Sequence, residues 1–176
     1  MRERQSSILN RFTLAVALLS FAAALGAQAQ QWKTYSYPSD GFSASFPSEP
    51  QLTKKDVPAG TGTRELRIYL ANDDPAGMMV GVGDYGAEAA GQDPNVLLQI
   101  AKNKISYSPL KEKKITLSGY PGLELEGEGD SIHYIIRIFF VGTILYQMQV
   151  AYPSDTPYAS ATRFLDSFRL IPRVSQ

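Results

Sequence analysis

The chain has 176 residues, 44% of them apolar, which suits one packed domain and argues against a disordered chain. Seventeen Lys and Arg balance seventeen Asp and Glu, so there is no electrostatic footprint for nucleic acid or for an anionic membrane. The absence of cysteine excludes disulfides, thiolate zinc sites, a cysteine nucleophile and a lipid-modified N-terminal cysteine.

The first segment reads as a leader. Arg2, Arg4 and Arg11 form a positive start, Phe12 to Leu25 is apolar apart from Thr13 and Ser20, and Ala27-Gln28-Ala29 places small residues where a signal peptidase reads. The apolar run is shorter than the roughly 20 residues a spanning helix needs. Residues 1–29 are therefore expected to be a cleaved secretory signal and 30–176 the domain. Loss of three arginines and Glu3 shifts the net charge from 0 to −2. The product is expected in the periplasm or outside the cell, without a membrane span and as a monomer.

Trp32, Tyr35 and Tyr37 alternate loosely with polar residues, and Pro38-Ser39-Asp40-Gly41 is a turn in which Asp can bond its own backbone. Phe42 to Phe46 alternates as a half-buried strand. Gln51 to Val57 is polar enough for an edge strand or a loop, and Ala59 to Gly62 is a tip. Strands follow from Thr63 to Leu70 and from Met78 to Tyr85. Asp93 and Pro94 cap and open a helix reaching about Ile105, with Leu97, Ile100, Ala101 and Ile105 on its buried face. Lys111 to Leu117 turns at Ser118-Gly119; Pro121-Gly122 interrupts the strand that continues through Glu126, and Gly127 to Asp130 turns again.

The scaffold's centre is the last stretch. Ile132–Val141 and Ile144–Tyr152 read as a hairpin about Gly142-Thr143. A two-residue loop with Gly first suits a type II′ turn. It sends Ile136, Ile138 and Phe140 to one face and Ile135, Phe139 and Val141 to the other, so both faces need covering. A three-residue loop would instead set Arg137 opposite Gln147. Tyr158, Ala161, Phe164, Leu165 and Phe168 then recur at helical spacing and form a stripe that folds back on the hairpin. The order of elements gives an α+β domain, an antiparallel sheet flanked by helices.

Tyr37-Pro38-Ser39-Asp40-Gly41-Phe42-Ser43 with Phe46-Pro47 resembles the opening of PsbP-like domains. Ser118-Gly119-Tyr120-Pro121-Gly122-Leu123-Glu124 is similar to the mid-domain glycine turn of small secreted bacterial relatives, and Leu145-Tyr146-Gln147 with Phe164-Leu165-Asp166-Ser167-Phe168 to their closing strand and helix. The resemblance implies an α-β-α sandwich and, for plant and cyanobacterial members, an extrinsic, non-enzymatic role at photosystem II; no ligand set for that role is matched here.

Chemical motifs are sparse. Gly81-Val82-Gly83-Asp84-Tyr85-Gly86 fits G-x-G-x-x-G, but no parallel strand–helix–strand unit surrounds it. Glycines where another backbone packs close explain it better. His133 is the one histidine, on a strand among apolar neighbours; with a serine or a carboxylate it would make a small hydrolase, the rival reading. Gly41 to Ser45 lacks the second glycine of a nucleophile elbow, and Ser108-Pro109-Leu110-Lys111 matches S-x-x-K without its partner motifs. Glu124, Glu126, Glu128 and Asp130 alternate on one strand face and suggest a weak Ca²⁺ site, although without the spacing of an EF-hand. The expectation is a non-enzymatic binding or accessory module of the cell envelope, its small-molecule or protein partner unnamed.

Overall fold

A tight two-residue turn organises the molecule. In this computed structural model, which describes residues 31–59, 62–105 and 110–174, Val141 pairs with Ile144 across Gly142-Thr143, and Gly142 takes a φ of 62°. The glycine-first loop therefore forms as expected, and Ile138 rather than Arg137 faces Gln147. The expected leader, residues 1–29, lies outside the described residues, as do Ser108 and Pro109 of the S-x-x-K match.

Among the described residues the strands form two sheets. The larger runs β3 (Gln51–Ala59), β4 (Gly62–Asp73), β5 (Ala76–Asp84), β9 (Ile144–Pro153), β8 (Ile132–Val141), β7 (Tyr120–Gly129) and β6 (Leu110–Leu117) in spatial order, every neighbour antiparallel. The smaller joins β1 (Lys33–Tyr37), β2 (Phe42–Phe46) and β10 (Arg169–Leu170). β1 and β2 roof one face of the large sheet, and Phe42, Ala44 and Phe46, the apolar face of the expected half-buried strand, are buried.

Both faces of the β8–β9 hairpin are covered, as its two apolar faces require. On one side Phe139, Tyr146, Met148 and Val150 pack beneath β2 and α3 (Ser160–Ser167), where Phe42 stacks on Phe168 at 5.4 Å and Phe46 meets Phe164 at 5.2 Å. On the other, Ile136, Ile138 and Phe140 pack with Leu123 and Leu125 under α2 (Pro94–Asn103). Asp93 caps α2, accepting the backbone N–H of Asn95 at 2.8 Å. The helix is rolled relative to the expected stripe: Leu97 and Leu98 are buried, whereas Ile100 is 48% exposed. A short α1 (Gly86–Ala89) precedes it.

The interruption expected at Pro121-Gly122 is absent. β7 runs straight through Pro121-Gly122, because Phe139 lies across Gly122; a Cβ there would sit 2.3 Å from its ring. The next turn is Asp130-Ser131, both at positive φ, one step beyond the expected Gly127–Asp130 bend. Among the described residues no helix is long and apolar enough to cross a membrane.

Candidate functional site

The turn after β1 sends its aspartate inward. Gly41, at φ 74°, completes a loop in which the N–H groups of Asp40 and Gly41 donate to the Tyr37 carbonyl. The Asp40 carboxylate does not bond its own backbone in the expected way. It is 2% exposed and accepts Arg67 Nε at 2.6 Å and the Tyr69 hydroxyl at 2.5 Å, while the Tyr146 hydroxyl donates to its carbonyl at 2.7 Å. Arg67 and Tyr69 are alternate residues of β4 and so share the roofed face of the sheet.

Beside this knot lies a polar cleft of about 640 Å³, bordered by Leu52, Lys54, Glu65, Arg67 and Arg173. Its charges are committed to one another. Glu65 accepts Arg67 Nη1 and Lys54 Nζ, each at 3.3 Å, and the Arg67 bond in particular holds its carboxyl below the usual range. Burial works against the Arg67 charge, yet Asp40 and Glu65 keep it more firmly protonated than usual. Arg173 Nε donates to the Ser39 carbonyl at 3.2 Å. Burial, then the bond to Asp40, raises Tyr69, and burial pushes Tyr37 up to about 12. Phenols moved in that direction stay protonated and do not supply a base near neutrality.

His133 and the four acids sit elsewhere, on β8 and β7. The imidazole Nε2 lies 3.2 Å from Glu126, and the ring packs on Tyr152 at 5.0 Å; Tyr152 in turn meets Tyr158, whose hydroxyl bonds Asp73. Among the described residues no serine hydroxyl bonds the histidine. Glu124 is held by Arg137 Nε at 2.7 Å, and Arg137 also grips Asp166 at 2.7 Å, tying β7 and β8 to α3. Glu128 is exposed beside His133 in the register, and Asp130 occupies the turn at φ 52°. Strand spacing puts the three glutamates on one face but does not make their carboxylates converge. Among the described residues no three Asp, Glu or His side chains gather as a metal would require.

The opposite face of the large sheet is unevenly covered. Helix α2 lies over β7 and β8 and leaves a hollow of about 450 Å³ over β4, β5 and β9. Leu66, Ile68, Met79 and Leu145 line it, with Ala101 and Ile105 on the helix side. Gly81 forms part of its floor, with Gln147 opposite in the register. At the end nearest α1, Arg64 stacks on Tyr85 at 3.6 Å and pairs with Glu88 at 2.9 Å. The glycine-rich motif is thus a bare stretch of a central strand. The backbone expected to pack over it is not found among the described residues: Leu66 lies across Gly83, and Gly81 opens on the hollow. Sequence reading missed the hollow because its walls come from distant segments; the glycines were the visible trace.

No family model and no curated protein sequence matches the chain. The solution structure of cyanobacterial PsbP (CyanoP) from Synechocystis sp. PCC 6803 is similar in fold, with a TM-score of 0.50 and 12% identity, covering 85% of this chain and 98% of that one. An antiparallel sheet between a helix and a small aromatic roof, with Asp40 of the opening turn locked into it, gives this domain the PsbP-like α+β fold.

Proposed function

We propose that the protein is an exported, non-enzymatic accessory module that holds a ligand in the hollow on the α2 face. The observation that carries this reading is the hollow itself, with a floor of bare backbone at Gly81 and apolar walls. The polar cleft supports it by contrast, since Asp40, Glu65 and Arg67 are spent on one another and, among the described residues, leave no nucleophile beside a base. Its PsbP-like fold agrees with an extrinsic accessory role, and the leader-like residues 1–29 support delivery to the periplasm or beyond. The hydrolase reading finds His133 paired with Glu126 and stacked on Tyr152, away from both hollows' linings. Two measurements test the proposal. Cell fractionation should recover a mature protein beginning at Gln30, and ester and peptide substrates should show no turnover above buffer. Turnover that disappears in His133→Ala, or protein retaining Met1 in the cytoplasm, would overturn it.

A further inference from the structure

We propose that the hollow binds a single-chain amphiphile with an anionic head group, its hydrocarbon chain lying over Gly81 and its head between Lys55 and Lys104. This rests on the binding-module reading and names the ligand class for the same site.

The first observation is a glycine that the fold does not need. Gly81 sits inside β5, paired on both sides with β4 and β9, without a positive φ. A Cβ built on it would meet nothing closer than 3.8 Å, from the Gln147 carbonyl. Gly122 and Gly83 differ: there a Cβ would fall 2.3 Å from Phe139 and 2.6 Å from Leu66, so internal packing accounts for both. Glycine inside a strand costs conformational entropy, and the close approach of a ligand or another backbone is one common reason for it. A side chain at Gly81 would project into the hollow.

The second observation is the chemistry around that floor. Leu66, Ile68, Met79 and Leu145 offer a hydrocarbon chain continuous apolar contact. Gln147 adds an amide bonded to Gln149 only at 3.4 Å. The volume of about 450 Å³ is in the roughly 300–1,000 Å³ range of small-molecule sites.

The third observation is charge. Lys55 pairs in register with Leu66 and so projects from the same face, while Lys104 borders the hollow from the end of α2. Among the described residues neither lysine pairs with a carboxylate. Arg64 is held by Glu88, so the rim's acid is already used. An apolar trough with an unpaired lysine, Lys104, at its margin and a second, Lys55, on the same sheet face complements a carboxylate, sulfate or phosphate head on one alkyl chain.

Calorimetric titration of the purified chain with laurate, dodecanol and phosphatidylglycerol vesicles tests this. Laurate should bind. Gly81→Val should weaken it at least about tenfold, with Gly81→Ala intermediate, while the urea midpoint of Gly81→Ala stays level or rises. Lys55→Gln with Lys104→Gln should weaken laurate about two- to fivefold and leave dodecanol unchanged. No laurate binding, equal binding by wild type and both Gly81 variants, or binding to vesicles alone would overturn the inference. Hydrolysis of p-nitrophenyl laurate that is lost in Gly81→Val would keep the site but overturn the non-enzymatic reading, so the two failures are distinct.

Discussion

Asp40 shows how one residue can fix a roof onto a sheet. Its carboxylate takes a guanidinium and a phenol from β4, and its carbonyl takes a phenol from β9, so a single turn is bolted to two strands of the other layer. Removing a buried charge leaves its partner uncompensated, at a cost of about 3–5 kcal/mol. Arg67 is 20% exposed and keeps Glu65, which moderates the loss. Asp40→Ala should therefore cost about 3 kcal/mol, and a urea melt showing less than about 1 kcal/mol would refute the bolt. None of this was legible from the Pro-Ser-Asp-Gly run, which signals a turn whether or not its aspartate is buried. Arg67 and Tyr69 lie 27 and 29 residues further on, and only the stacking of the two sheets brings them there.

At the scale of elements, local chemistry was informative and relative placement was not. The glycine-first pair fixed the β8–β9 register, and Asp93-Pro94 fixed the start of α2, because each acts through its own backbone. Which side of α2 faces inward depends on where the sheet lies. Leu97, Leu98, Ile100 and Ala101 all fit an apolar stripe, and contact with β7 and β8 selected Leu98 over Ile100. The stripe of α3 was less ambiguous, and Ala161, Phe164 and Leu165 are buried as its spacing requires. Phe164 is fully buried against Phe46. Phe164→Ala should cost about 3–5 kcal/mol, and a loss below about 1 kcal/mol in denaturant would show that the helix is not docked on β2.

Over the whole molecule, the buried phenols set a limit on alkaline stability. Burial raises Tyr37, Tyr69, Tyr146, Tyr152 and Tyr158 above their ordinary value of 10.0, with Tyr37 reaching about 12. A raised folded value means that the folded chain keeps protons the unfolded chain releases. The associated stability is full below pH 10 and is lost as pH climbs toward 12. Absorbance titration should show phenolate formation in the native protein lagging behind that in denaturant, and the urea midpoint should fall across the same interval. Coincident titration curves would contradict the burial of these rings.

The roof strand β2 has one neighbour next to it in the chain and another, β10, at the far end. Phe42 and Phe46 rest on Phe168 and Phe164, and the Ile171 N–H donates to the Gly41 carbonyl at 2.9 Å. The part of their cover that Phe164 and Phe168 supply therefore closes only after every strand of the large sheet has been made. Loop closure on that scale comes late and slowly. Until α3 and β10 are in place the roof lacks one edge partner and part of its aromatic cover, and those two elements act as its latch.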